Sequence, residues 1–175
     1  MKKLIQMRKM LALLAVVFAS ATFAFGNDDA VVRWKTIVGN ITVSNNDAVG
    51  GINPGTTPWS TIGGRARVNL ATGHVSFDVE GLVLNGGNAS GLVGGVHTVE
   101  GSLICDPGQA DQTIFTTRSV PLDAQGNADF SGTFDSVPGT CANPLFLIRI
   151  GPELTGAHER WIATGAVRSF GDSRN

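Results

Sequence analysis

The chain has 175 residues, 13 Lys+Arg against 14 Asp+Glu, three histidines and two cysteines. Lys2, Lys3, Arg8 and Lys9 fall in the first ten residues, so the chain without residues 1–26 keeps nine basic against 14 acidic side chains, a net charge of −5. That balance argues against nucleic acid or an anionic membrane as a partner, and the 149 residues left suit one domain with a single sizeable core.

Residues 1–10 carry those four cations and no acid, residues 11–18 are wholly apolar, and residues 19–24 are mostly small. This is the pattern of a secretory signal peptide. Cleavage fits after Ala24 or after Gly26; Gly26 is favoured because the polar Asn27, Asp28 and Asp29 follow at once. The apolar run is short of the ~20 residues that span a bilayer, and no cysteine near the site invites lipid attachment. The expected product is a secreted or periplasmic domain covering residues 27–175, without a stable membrane anchor.

Residues 31–43 (VVRWKTIVGNITV) predict a first strand, bent at Gly39, and residues 44–64, with Pro54, Pro58 and paired glycines, predict a loop. Residues 65–84 (RARVNLATGHVSFDVEGLVL) alternate with period two on either side of Ala71-Thr72-Gly73 and predict a β-hairpin, with a bulge at Gly81. Setting Leu70 against Val75 puts Val68 opposite Phe77 and Ala66 opposite Val79; on the other face it puts Arg67 opposite Asp78 and Arg65 opposite Glu80. Glycine-rich residues 85–95 follow, then a strand at 96–105, a turn at Asp106-Pro107-Gly108, and a strand at 113–122. A turn at 123–127 joins that strand to another at 128–134 as a second hairpin. Residues 145–150 (LFLIRI) are apolar on both faces apart from Arg149 and predict a central strand, and residues 161–168 close the domain. Eight strands with no helical connection predict an all-β, antiparallel β-sandwich, with a partly closed β-barrel of the same strands as the alternative.

Cys105 and Cys141 are expected to form one disulfide, since an exported chain with two cysteines most simply pairs them. A reactive thiol pair fits less well, because the spacing is not Cys-x-x-Cys and no base flanks either sulfur.

Chemistry-bearing patterns are sparse. His74, His97 and His158 fall in separate elements without a second ligand at metal spacing. The Asp/Asn groups at Asp28-Asp29 and Asn45-Asn46-Asp47 lack the calcium-loop spacing and fit turns. No Gly-x-Ser-x-Gly is present, and the glycine-rich 85–95 segment lacks a phosphate-loop lysine. A carboxylate pair for glycoside chemistry would come from Asp78, Glu80, Glu100, Asp111, Asp129 or Glu153. In the expected register Asp78 and Glu80 are partners of arginines instead, a solvated charge ladder. Trp34 and Trp161 fall in strands, whereas Trp59, beside Pro58, falls in a loop and is the candidate ligand contact. Asn40-Ile41-Thr42 and Asn88-Ala89-Ser90 fit the glycosylation acceptor pattern. No catalytic residue, metal ligand or cofactor site is assigned.

The segments 64–88, 101–106, 120–132, 141–150 and 161–168 together resemble a group of small exported bacterial proteins of unassigned function, with a GxAxVNLxTGxVSFxVEGLVLNGGN-like stretch before GxLxCD, VPLDAQGNAxFSG, CANPxFLIRI and WIAxGAVR. The order of an early strand, a glycine-turn hairpin and a short final strand is similar, more distantly, to the extracellular CHRD domain named from chordin. The chain departs from that pattern where it has Val96-His97-Thr98 and Ile162-Ala163-Thr164-Gly165. Neither resemblance implies a catalytic residue. The expected role is binding or structural, with a glycan or an envelope protein as partner. The competing classes are a hydrolase acting on a surface polymer and an envelope adhesion or assembly module.

Overall fold

The computed structural model describes residues 30–41, 48–152, 154 and 159–171. The expected leader, Asp28 and Asp29, Thr42 of one acceptor pattern, Asn45 to Asp47, Glu153 and His158 lie outside the described residues.

The described residues form strands β1 (Val31–Gly39), β2 (Trp59–Ser60), β3 (Gly63–Asn69), β4 (His74–Glu80), β5 (Val83–Leu84), β6 (Thr98–Cys105), β7 (Thr113–Thr116), β8 (Val120–Pro121), β9 (Ala128–Thr133), β10 (Pro144–Ile150) and β11 (Trp161–Phe170). The large sheet runs β7-β6-β10-β11-β1-β3-β4-β9, with β8 also on β6, and β2 pairs with β5 in a small second sheet. All these strand pairings are antiparallel. The all-β antiparallel expectation therefore holds, and the strands curl into a half-barrel whose facing walls pack on one another as sandwich layers do.

The period of two decides which side chains fill it. Val32 and Trp34, Ala66 and Val68, Val75, Phe77 and Val79, Phe130, Leu103, Phe146 and Ile148 all enter one buried cluster. The curl shows in the rings: Phe146 of β10 lies 5.5 Å from Trp34 of β1 and 5.8 Å from Phe77 of β4. Since β10 and β4 are four strands apart in the sheet order, only a strongly coiled sheet brings them together. Gly101 on β6 makes room, because a Cβ there would come within 2.8 Å of both the Phe77 and Phe146 rings. The outer side of β10 is apolar too: Leu147 packs with Ile104, Trp161 and Ile52 in a second cluster. This accounts for the two-faced hydrophobicity expected of a central strand.

The hairpin register differs from expectation by two residues. Val68 faces Val75, Ala66 faces Phe77, Arg67 faces Ser76, Arg65 faces Asp78 and Gly63 faces Glu80. The cause is Asn69, whose side-chain oxygen accepts hydrogen bonds from the N–H groups of Ala71 (3.0 Å) and Thr72 (3.1 Å). An Asx turn therefore begins at Asn69. Leu70 leaves the ladder and donates its N–H to the Ala30 carbonyl at 2.8 Å. An even shift keeps every side chain on its expected face. Other corrections are local. β1 ends at Gly39, the expected loop holds β2 and the start of β3, and the chain leaves β4 at Gly81 to form β5 instead of bulging.

The second hairpin keeps its turn but not its pairing. Asp123 and Asn127 are joined by a backbone hydrogen bond of 3.0 Å, yet β8 pairs with β6 while β9 pairs with β4. The turn thus bridges the two margins of the curled sheet. Gly126 fits it at φ +80°, where an added Cβ would stand 2.4 Å from the Leu82 carbonyl oxygen.

Candidate functional site

Trp59 is not an exposed loop residue. It is 3% exposed, sits in β2 opposite Leu84, and belongs to the main core. Its N–H donates to the Asn40 carbonyl at 2.6 Å, and Thr57, Leu84, Val93, Val96 and Arg160 leave a cleft of about 160 Å³ beside it. The pattern Pro58-Trp59-Ser60 hides this, because short strands at barrel ends carry no alternation to detect.

Cys105 and Cys141 are disulfide-bonded with Cα atoms 5.0 Å apart, so neither is a reactive thiol. The Asp106 carboxylate buttresses this corner by accepting from the Asn143 N–H at 2.8 Å. His74 and His97 are exposed and lie in separate strands and loops. Among the described residues no three His, Cys, Asp or Glu side chains gather to hold a metal ion.

Three of the candidate carboxylates do share a place: Asp78, Glu80 and Asp129, with Asp123, line an open hollow along β4 and β9. Two of these four are already committed. Asp78 accepts from Arg65 Nε at 2.7 Å. Asp123 takes hydrogen bonds from the N–H groups of Asn127 (2.8 Å) and Gln125 (2.9 Å), and these bonds, the Asn127 backbone N–H foremost, hold its carboxyl below the ordinary aspartate range. A carboxylate held ionised is poorly suited to protonate a leaving oxygen. Glu100 lies elsewhere, accepting from Ser119 Oγ at 2.7 Å, and Asp111 lines another hollow near Thr113.

The strongest constellation is one that pairing by sequence alone conceals. Arg33 and Lys35 of β1, Arg65 and Arg67 of β3 and Ser76 and Asp78 of β4 line a groove of about 370 Å³ on the outer face of the sheet. Arg33 stands directly opposite Arg67, and Arg67 opposite Ser76. Arg33 Nη1 donates to the Gly171 carbonyl, which anchors that guanidinium at one end. Among the described residues neither Lys35 nor Arg67 has an ion-pair partner, and Asp78 is the one carboxylate on the groove wall. Four of the nine cations beyond residue 26 therefore converge on a single face. The expected register gave Arg67 to Asp78 and Arg65 to Glu80; the two-residue slide that Asn69 imposes gives Asp78 to Arg65 and leaves Arg67 opposite Ser76. The detectable signal was Asn69 itself, together with Arg33 and Lys35, whose spacing places them on one side of β1. Searches against protein-family models, curated proteins and solved structures find no match for this chain.

Proposed function

We propose that the chain is an exported, non-catalytic β domain that binds its ligand in the cationic groove on the outer face of β1, β3 and β4. The carrying observation is the convergence of Arg33, Lys35, Arg65 and Arg67 on one concave surface of an otherwise acidic chain. Its volume, about 370 Å³, falls within the ~300–1,000 Å³ of ordinary ligand sites. It is built on rigid strands backed by Trp34, Ala66 and Phe77, which suits a preorganised site. The leader-like residues 1–26 and the buried disulfide support a location outside the cytoplasm.

The test is a binding screen of charged and neutral oligosaccharides and small anions. Wild type is expected to bind a subset of the probes, and Arg67→Glu to lose that binding. Unchanged binding by the variant would move the site elsewhere. The competing reading, a glycan hydrolase, is favoured by the shared hollow of Asp78, Glu80 and Asp129. It predicts release of reducing ends from a polysaccharide, abolished by Glu80→Gln or Asp129→Asn.

A further inference from the structure

We infer that the groove binds an acidic polysaccharide, a chain carrying carboxylate or sulfate groups on successive sugars and lying along β1 and β3; this rests on the groove being the binding site. The cations form a two-by-two array. Arg33 and Arg67 face each other across neighbouring strands, about 4.8 Å apart at the backbone, and Lys35 and Arg65 lie two residues along the same strands, about 6.8 Å further. Like charges set opposite each other destabilise the empty sheet. Arg65 is already held by Asp78; a ligand with several negative groups meets both Lys35 and Arg67, which have no ion-pair partner among the described residues, whereas a single small anion meets one of them.

The neighbouring side chains narrow the class. In register with Arg33 and Arg67, Ser169 flanks one side of the groove and Ser76 the other, so a hydroxyl group borders each edge of the cation row. Hydroxyls that both donate and accept match sugar hydroxyls. Single-stranded nucleic acid is recognised by stacking on aromatic faces. The rings under this groove, Trp34 and Phe77, are only 2% and 3% exposed and offer none. The direction of the ligand is also set. Asp78 stands opposite Asp129, and Glu80 lies at the same end of β4, so a polyanion running across the strands toward β9 would meet carboxylates. Running along β1 and β3, it passes Asp78 alone of these, and Arg65 already engages that carboxylate.

The experiment is calorimetric titration of the protein at low salt with four probes: an oligogalacturonate, a heparin oligosaccharide, a neutral cello-oligosaccharide and a single-stranded oligonucleotide. Binding of either acidic oligosaccharide, with no binding of the neutral one, is the expected result, and the two arms identify carboxylate or sulfate. Affinity falls about tenfold or more in Arg67→Glu and in Lys35→Glu, both exposed positions whose melting temperatures report intact folding. It weakens strongly in 1 M salt. Gln109→Glu, which adds negative charge outside the groove, leaves it unchanged. Equal binding of the neutral sugar, lost in Arg67→Glu, would overturn the acidic class and leave the groove standing. Tighter binding of the oligonucleotide would overturn the polysaccharide class. No binding by any probe, or full binding by both charge-reversed variants, would overturn the inference and the groove reading together.

Discussion

Replacing Cys105 and Cys141 together by alanine removes the covalent link between the end of β6 and the segment entering β10. The two residues are 36 apart in sequence, so the bond closes a loop of about 37 residues. Releasing such a loop in the unfolded chain costs the fold about 4 kcal/mol at 25 °C. Both residues are buried, and losing their sulfur atoms acts in the same direction. The native corner is held by other bonds as well: Pro144 pairs with Cys105 in the β6–β10 ladder, and Asp106 holds Asn143. The variant therefore keeps its strand register and loses stability. At about 2–4 °C per kcal/mol for a domain of this size, the midpoint falls by about 8–16 °C. The assay is thermal unfolding followed by near-ultraviolet circular dichroism, comparing the oxidised wild type with the double variant. A shift below about 4 °C, with both transitions two-state, refutes the loop-closure reasoning.

Four further outcomes are expected. Phe146→Ala, which removes the ring between Trp34 and Phe77, lowers stability by about 3–5 kcal/mol in chemical denaturation. Gly126→Ala drives a Cβ against the Leu82 backbone and strains a residue at φ +80°; it lowers stability by about 1–3 kcal/mol and increases amide exchange at Leu82. The depressed carboxyl of Asp123 stabilises the folded turn at pH values above the ordinary aspartate range, and that contribution is lost as pH falls through its lower folded value. Amide exchange at Gln125 and Asn127 should rise in that acidic window in wild type, and be already raised at neutral pH in Asp123→Asn. Arg67→Ser relieves the opposition to Arg33 and raises unliganded stability by about 0.2–1 kcal/mol, read from the denaturation midpoint at low salt.

Most of the fold is legible in the sequence because alternation is a strong signal. The β3–β4 alternation, the two-faced apolar run of β10 and the Cys105–Cys141 pair each correspond to what the coiled sheet contains. What alternation does not encode is the slide of one strand on another by two residues, since that leaves every face unchanged. Here a single side chain decides it, the Asn69 amide that caps the turn. The same ambiguity hid the groove, because which carboxylate an arginine meets depends on register alone. Trp59 and the partners of β8 and β9 were illegible for a different reason. Their placement follows from the closure of the sheet, a contact between segments far apart in sequence. The convergence of β1 and β3 cations required the β1–β3 pairing, which no local pattern announces.

The order of strands also governs when this domain becomes able to fold. β1 lies between β3 and β11, and its ladder with β11 runs from Val32 to Gly39, the latter opposite Ala163. Until residues 161–170 are available, β1 has one neighbour, β10 is an open margin, and the Ile162 side chain is missing from the core. Loop-closure entropy must be met across nearly the whole described chain before that ladder returns any stabilisation. A nascent chain is thus held back from the finished half-barrel until β11 arrives. The same feature makes any truncation within β11 a global lesion: it would uncover both β1 and β10 at once and expose their backbone groups to pairing with another chain.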